Sequence, residues 1–179
     1  MSLNHWKKLN SKIVVRNNYW SYCLDEFEIE NGHKGEYHYV HTSGSTMVIP
    51  VTDKNKFLLV NQFRYLNNKE SIEFPCGLIE EGLSAKENAL KELREETGFS
   101  AKVLKKVAEF APYTGAGDEI CSVYIAQQLY ENPLTGDATE EFELIEKSFD
   151  EIEALIDNNI IWDGLTLSAW ILSQKHFIK

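Results

Sequence analysis

The sequence predicts an α/β fold, an α/β/α sandwich with a small β appendage at its N-terminus. Segments rich in β-branched and aromatic residues are mixed along the chain with segments of helical pattern. A length of 179 residues with 43% hydrophobic residues is enough for one domain with a sizeable core. We therefore expect a main domain over residues 44–179 and an N-terminal β region over residues 1–43.

The N-terminal half is predicted to be mainly β-structure. The segments "KIVVRNNYWSYCLDEFEI" and "GEYHYVHT" are interpreted as strands, separated by the turn-like "ENGHKG". "STMVIPVT" and "KFLLVNQFRYL" follow as two more strands, and the second is continuously apolar from Phe57 to Val60, as a buried strand is. Pro75 and Gly77 are expected to break any strand beyond this point, and Gly77 and Gly82 bound a loop.

A helix is predicted over residues 85–97. Ser84 and Glu87 have the spacing of a capping box, in which hydroxyl and carboxylate each accept a free backbone N–H of the first turn. Gly98 can take the left-handed conformation that closes a helix, and no proline or glycine interrupts the residues between. Ala89 and Leu93 lie on one apolar stripe that is expected to face a core.

The C-terminal half is predicted to contain a strand and two helices. The strand "ICSVYIAQQL" lies between the glycine-containing loop "PYTGAGDE" and the polar loop "YENPLTGDATEE". The helices are predicted over residues 150–158 and 165–176.

Charge and cysteine content exclude several classes of protein. A net charge of −10 argues against nucleic-acid or membrane partners, which normally require a basic patch. The three cysteines, without a CxxC pair, predict no disulfide framework or zinc site, so they are interpreted as reduced packing residues. Neither a secretory leader nor a run of about 20 apolar residues is present, which predicts a cytoplasmic protein.

Three glutamates share one side of the predicted helix. Glu92, Glu95 and Glu96 lie at i, i+3 and i+4, where side chains are neighbours. Such a cluster is either a solvated acidic face or a site for a hard divalent cation such as Mg²⁺, which prefers carboxylate oxygen, water and phosphate. The helix alone favours the solvated face, and the preceding residues "EFPCGLIEEG" shift the interpretation toward the cation.

The stretch from Gly77 to Phe99 resembles the Nudix hydrolase family. The family box begins at Gly77 and is matched further at Glu92, Leu93, Glu95, Glu96, Gly98 and Phe99. Two positions depart from it, since the first box glutamate is Leu83 and the box arginine is Lys91. In the family those two side chains form an ion pair, and lysine lacks the planar donor fork of arginine. The resemblance implies a Nudix fold with a mixed sheet.

The order of the segments resembles the ADP-ribose and nucleoside diphosphate sugar pyrophosphatase branch of that family, through "QFRY" and "IEFPCG". That branch implies a homodimer that exchanges its N-terminal region. Trp20 is then either a wall for a nucleobase or a packing aromatic. Arg64 either binds a diphosphate or forms a structural salt bridge, and Glu73 either serves the site or pairs with a cation. Thr114 falls where ADP-ribose-preferring members carry proline, which weakens that substrate relative to other sugar nucleotides.

The resemblance also implies a ligand set and a cofactor, Mg²⁺ or Mn²⁺. Glu92 and Glu96 are the implied core ligands, the backbone carbonyl of Cys76 is a further one, and Glu95 is a ligand or orients the attacking water. The general base is expected in the late acidic segment "DATEEFELIE". Its candidates are Glu140, Glu141 and Glu143, of which Glu143 is favoured, and each is otherwise a solvated loop residue. Glu119 is a candidate for binding a ribose or is a surface residue.

These observations together predict a metal-dependent pyrophosphatase. Its substrate is a small nucleotide, ADP-ribose or a related nucleoside diphosphate sugar, and its products are a nucleoside monophosphate and a sugar phosphate. Two alternatives stay open. One is a Nudix hydrolase of dinucleotides or nucleoside triphosphates, and the other is a degenerate Nudix domain that binds a nucleotide as a sensor without cleaving it.

Overall fold

The computed structural model describes residues 3–136, 139 and 141–178 of the chain. In this part of the chain ten strands form three sheets, accompanied by three α-helices. The strands are β1 (Lys7–Arg16), β2 (Ser21–Glu28), β3 (Lys34–His41), β4 (Ser45–Pro50), β5 (Phe57–Arg64), β6 (Lys69–Glu73), β7 (Cys76–Leu78), β8 (Phe99–Phe110), β9 (Cys121–Glu131) and β10 (Glu143–Lys147). The helices are α1 (Ala85–Thr97), α2 (Phe149–Asp157) and α3 (Gly164–Ser173).

The central sheet has the order β7-β4-β9-β8 and is mixed, because β4 and β9 run parallel while the other neighbours are antiparallel. Its side chains alternate between two cores, as a pleated strand requires. Met47 and Ile49 belong to the larger core, whereas Val48 between them belongs to the smaller one. The sheet is therefore covered on both faces, and the predicted α/β sandwich is confirmed.

The larger core lies between the central sheet, α3 and the antiparallel sheet β10-β5-β6. Trp170 of α3 is 1% exposed and forms its centre. Ring contacts surround it, with centroid distances of 4.9–5.9 Å among Phe57, Phe74, Phe149, Phe177 and Trp170 itself. Such aromatic side chains supply much of the buried apolar area that stabilises a domain of this size.

Helix α1 covers the opposite face of the central sheet. Its bounds agree with the prediction, the capping box of Ser84 and Glu87 is formed, and Gly98 closes the helix at φ 78°. Ala89 and Leu93 are fully buried against Val48 of β4. The acidic side of α1 therefore lies next to this stripe and faces the edge strand β7.

The N-terminal region forms a separate antiparallel sheet, β1-β2-β3. The prediction of one strand through residues 12–29 is wrong, because the chain turns between Arg16 and Ser21. The side chain of Asn17 accepts the backbone N–H groups of Tyr19 and Trp20, at 2.8 and 2.9 Å, and this Asx turn reverses the strand. Every residue of β1 is exposed.

The segment around Gly77 also differs from its prediction. Residues 76–78 form the short strand β7, in which Gly77 pairs with Thr46 of β4. A strand is possible there because β7 lies at the sheet edge and is only three residues long. The other predicted elements occur at nearly the predicted positions. Helix α3 ends at Ser173 rather than residue 176, and a 3₁₀ turn follows it.

None of the helices described is long and apolar enough to cross a membrane. The three cysteines, Cys23, Cys76 and Cys121, are free thiols at buried or half-buried positions.

Candidate active site

The strand β7 and the helix α1 meet at Gly77. A Cβ atom at this position would lie 2.5 Å from both carboxylate oxygens of Glu92. No side chain can be tolerated at that distance unless Glu92 moves. The first glycine of the box therefore leaves the space in which the Glu92 carboxylate lies against the backbone of β7.

Glu96, one helical turn beyond Glu92, reaches the same strand. Its Oε1 accepts the backbone N–H of Cys76 at 3.3 Å. Glu92 and Glu96 are each 9% exposed, so two carboxylates of one helix face are largely removed from water. Burying like charges side by side is unfavourable unless hydrogen bonds and positive charge compensate.

Asn88 supplies part of that compensation. It is fully buried inside α1, and its Nδ2 donates to Glu92 Oε1 at 3.4 Å and to Thr46 Oγ1 at 3.0 Å. Its Oδ1 accepts the backbone N–H of Glu80 at 3.1 Å. One amide thus connects the helix, the strand β4 and the loop that leads from β7 into α1.

Lys91 lies between two carboxylates. Its Nζ is 3.2 Å from Glu80 Oε1 and also binds Glu95 Oε2, one turn along the helix. Burial alone would lower the pKa of Lys91, but hydrogen bonds to Glu95 and Glu80 and the charge of Glu92 outweigh it, so this pKa is raised. The lysine therefore stays protonated and offsets part of the acidic face.

The donor groups fit a hard divalent cation. Two carboxylates, those of Glu92 and Glu96, lie against the backbone of Cys76 and Gly77, and Mg²⁺ is typically bound by one or two carboxylates with water and phosphate oxygens. Glu95 is directed to Lys91 instead. Within residues 3–136, 139 and 141–178, no three His, Cys, Asp or Glu side chains converge to form a complete metal cage.

Arg64, at the end of β5, pairs with Glu73 of β6. Its Nε donates to Glu73 Oε1 at 2.8 Å, and its Nη2 donates to Oε2. Glu73 is only 1% exposed, and its hydrogen bonds raise the pKa of Arg64 despite the burial of the guanidinium. Arg64 therefore forms the salt bridge that was one of its two predicted roles, and Glu73 pairs with a cationic side chain. The salt bridge uses two of the five N–H donors of the guanidinium.

The candidates for the general base lie near β10. Glu143 is the first residue of that strand rather than a loop residue, and its Oε2 accepts Asn61 Nδ2 at 3.3 Å. Glu141 is exposed before the strand, and Glu140 lies outside the described residues. Among the residues that the structure describes, no hydrogen bond or ion pair joins Glu143 to α1.

A cavity of about 490 Å³ opens where the N-terminal sheet meets the loop before β9. Its lining includes Tyr37, Tyr39, Thr114 and Glu119. Glu119 accepts the hydroxyl of Ser45 at 2.6 Å, and Ser45 pairs with Leu78 of β7. The cavity is thereby connected to the acidic site through one residue of β4.

The glycines of the loop "PYTGAGDE" bring it close to the N-terminal sheet. Gly117 bridges Val40 of β3, where a Cβ atom would lie 3.0 Å from the Val40 carbonyl oxygen. Asp118 binds His41 Nδ1 at 2.7 Å and so fastens the same junction. Trp20 lies elsewhere, 40% exposed on the turn between β1 and β2, so it is not a core residue.

Two polar residues of this site were not identified from the sequence. Asn88 and Glu80 carry hydrogen bonds to the acidic face, but neither belongs to the residues that the box names. A signal for Asn88 was available, because positions 84, 88, 92 and 96 step by four along one helix face. Asparagine is also a weak helix former, so its occurrence inside a helix indicates a specific partner.

Comparisons with known proteins show the family of this chain. The family model of the NUDIX domain matches residues 42–166. The methanol dehydrogenase activator of Bacillus methanolicus is 34% identical over 148 residues, which cover 82% of this chain and 80% of that protein. The ADP-ribose pyrophosphatase of Bacillus subtilis (strain 168) is 31% identical over 170 residues, 91% of this chain and 92% of that one.

A solved structure shows the same fold. The crystal structure of an ADP compounds hydrolase matches with a TM-score of 0.85 over 98% of this chain and 95% of its own, at 24% sequence identity. The correspondence includes the N-terminal sheet as well as the central sheet, because almost the whole chain is covered.

Proposed function

This chain belongs to the Nudix family, and we propose that it is a Mg²⁺-dependent pyrophosphatase of ADP-ribose or a related nucleoside diphosphate sugar. The observation that carries the proposal is the pair of largely buried carboxylates, Glu92 and Glu96, held against the backbone of β7 at the start of the box. The relative named ADP-ribose pyrophosphatase supports the substrate class. The products would be a nucleoside monophosphate and a sugar phosphate.

Nudix hydrolases generally use divalent metals, and the residues that would hold one here are Glu92, Glu96 and the carbonyl of Cys76. A divalent cation supplies charge neutralisation for phosphate oxygens and a more acidic water. Glu95 is proposed as a further ligand or as the residue that orients the water. Lys91, bound to Glu95, would limit the repulsion between the carboxylates and an incoming diphosphate.

Arg64 and the cavity beside Glu119 are proposed to bind the rest of the substrate. Three guanidinium N–H donors of Arg64 are not used by Glu73 and can be presented to a diphosphate. Glu73 would then hold the guanidinium plane in place. The cavity offers the rings of Tyr37 and Tyr39 and the carboxylate of Glu119, a combination that suits a nucleoside or ribose.

Glu143, or else Glu141, is proposed as the general base. Asn61 donates to Glu143 and also to Glu70 Oε2 at 3.2 Å, so one amide lies between two carboxylates. A base must lie within hydrogen-bond distance of the attacking water, and one of these two carboxylates would do so in the substrate complex.

A homodimer through residues 1–43 is also part of the proposal. Strand β1 has no buried residue, and Leu9, Ile13, Val14 and Val15 on it are 40–54% exposed. A second copy of the chain would cover these apolar side chains, which a monomer leaves in water. Trp20, exposed on the turn between β1 and β2, would then pack in the interface or form a wall for the base of the partner's substrate.

The test is the release of nucleoside monophosphate from ADP-ribose, GDP-mannose, UDP-glucose, a dinucleotide and a nucleoside triphosphate. Each reaction is run with Mg²⁺, with Mn²⁺ and with a chelator. Metal-dependent turnover concentrated on one sugar nucleotide is the expected result and names the substrate. Preference for the dinucleotide or the triphosphate would favour the first alternative, and nucleotide binding without any turnover would favour a sensor.

A further inference from the structure

We propose that Glu80, Asn88 and Lys91 are positioning residues for the carboxylates of α1, and that Glu80 takes the role that Leu83 leaves vacant. The inference rests on the proposed function, because it concerns how the same acidic face is held. It starts from the two departures from the box, Leu83 and Lys91, which together remove the ion pair expected beneath the helix glutamates.

Glu80 and Leu83 lie at the two ends of one tight turn. The backbone N–H of Leu83 donates to the carbonyl of Glu80 at 3.1 Å, and Gly82 between them has φ +87°. The Cα atoms at the ends of such a turn are less than about 7 Å apart. Residue 80 therefore lies near the box position 83, and its carboxylate reaches Lys91, the residue at the position of the box arginine.

Glu80 is fixed to α1 at two points. Its backbone N–H donates to Asn88 Oδ1 at 3.1 Å, and its carboxylate lies 3.2 Å from Lys91 Nζ. These anchors are three residues apart on the helix, so they hold the turn across one face of α1. Leu83 cannot form the contact to Lys91, because its side chain is apolar.

Each anchor also binds a different glutamate of the acidic face. Asn88 Nδ2 donates to Glu92 Oε1 at 3.4 Å, and Lys91 Nζ binds Glu95. A lysine ammonium is a point charge on a flexible stem, so a single carboxylate partner does not fix its position. Glu80 supplies the second partner, and loss of its charge would let Lys91 and Glu95 shift together.

The experiment measures Mn²⁺ binding to the full chain by titration without nucleotide, alongside turnover of the substrate that the panel identifies. Glu80→Gln keeps the size of the side chain and removes its charge. Glu81→Gln is the matched control, because Glu81 is the exposed neighbour in the same turn. A third variant adds Leu83→Glu and Lys91→Arg to Glu80→Gln and so rebuilds the ion pair at the box positions.

We expect Glu80→Gln to weaken Mn²⁺ binding by about 10-fold, the lower range for residues that orient metal ligands, and Glu81→Gln to leave it unchanged. The rebuilt pair should restore most of the lost affinity. Asn88→Ala should also weaken binding, and the rebuilt pair should not rescue it, because arginine and glutamate at those positions do not replace the amide beside Glu92.

Equal Mn²⁺ affinity of Glu80→Gln and Glu81→Gln would overturn the inference while leaving the proposed function intact. The predicted order of Mn²⁺ affinities without turnover of any substrate would support the inference and overturn the proposed reaction. Failure of the unaltered protein to bind Mn²⁺ would overturn both. Because Glu80 is exposed, its variant is expected to fold, and urea unfolding of each protein checks this.

Discussion

Helices α1 and α2 both begin with a Ser-x-x-Glu capping box, yet they bury different residues. In α1, Glu87 N–H donates to Ser84 Oγ at 3.3 Å, and in α2, Glu151 N–H donates to Ser148 Oγ at the same distance. The return bonds, from the serine N–H to the glutamate, are 2.9 and 2.8 Å long. The two starts are therefore nearly identical.

Beyond the first turn the helices diverge. The buried residues of α1 include Asn88, Glu92 and Glu96, whereas α2 buries only Ile152. Both helices are acidic, so composition does not separate them. What separates them is the burial of two neighbouring carboxylates of α1 against a strand. Such burial is unfavourable unless hydrogen bonds or positive charge compensate, so it marks α1 rather than α2 as the candidate site.

The largest effect should come from removing one buried charge of α1. Glu96→Gln keeps the side-chain size, and turnover should fall by at least about 100-fold, because stabilisation of transition-state charge by a metal amounts to several kcal/mol. Monophosphate release at saturating Mg²⁺ measures it.

Glu153→Gln on α2 is the matched control for that change. Glu153 Oε1 accepts Trp170 Nε1 and Gln174 Nε2, and glutamine keeps this acceptor, so turnover should be preserved. Metal-dependent activity that survives in Glu96→Gln would show that the burial of α1 carboxylates is structural, and the contrast between the helices would lose its functional meaning.

The next largest effect should come from filling the space beside Gly77 in which the Glu92 carboxylate lies. Gly77→Ala places a methyl group 2.5 Å from the Glu92 carboxylate oxygens, so this side chain must move. A displacement of about 1 Å can cost up to about 100-fold in rate, and we expect a loss of 10- to 100-fold. Steady-state kinetics with varied Mg²⁺ measures it.

Gly164→Ala at the start of α3 is the control for Gly77→Ala, because a Cβ atom there meets nothing within 4 Å. Full activity of Gly77→Ala would mean that the carboxylate position seen here is not the one used in turnover.

The sequence predicted the features that depend on neighbouring residues. The bounds of α1 were correct because the capping box and Gly98 act within a few residues of the helix ends. The position of Glu92 and Glu96 on one face of α1 follows from helical spacing alone. The turn at Asn17 was missed because its Asx hydrogen bonds lie inside a segment of high β-propensity, which the strand interpretation favoured.

Contacts between segments far apart in the sequence could not be predicted from such local patterns. Asn88 meets Thr46 across 42 residues, and whether Arg64 faces Glu73 depends on the register between β5 and β6. Spacing within one segment carries no information about such pairs. The positioning role proposed for Glu80 likewise depends on a turn that brings residue 80 next to residue 83.

A smaller effect tests whether the two helix starts are equivalent. Ser84→Ala and Ser148→Ala should each lower the free energy of unfolding by about 1 kcal/mol, the usual cost of losing an N-cap hydroxyl. Urea unfolding measures both. Because the caps have the same geometry, the two losses should be similar, and a much larger loss for Ser84→Ala would show that the start of α1 is coupled to the buried face.

The smallest effect should be the loss of stability at acidic pH that comes from the two capping glutamates, Glu87 and Glu151. Hydrogen bonds to Ser84, first from its hydroxyl and then from its backbone N–H, lower the pKa of Glu87. The backbone N–H of Ser148 and then its hydroxyl lower the pKa of Glu151. A carboxyl whose pKa is lower in the folded state stabilises the fold above its unfolded value of about 4.3, and this contribution is lost as the pH falls through the folded value.

Glu87→Gln and Glu151→Gln remove that titration while keeping an acceptor oxygen. The stability difference between each variant and the unaltered protein should therefore be constant above about pH 5.5 and shrink as the pH falls toward 3.5. Urea midpoints over this range measure the difference. The two variants should behave alike, because both carboxylates are exposed caps, whereas Glu92 and Glu96 are not. If the stability difference between variant and unaltered protein stayed constant with pH for one of the two helices, the charged carboxylate would not hold the cap of that helix.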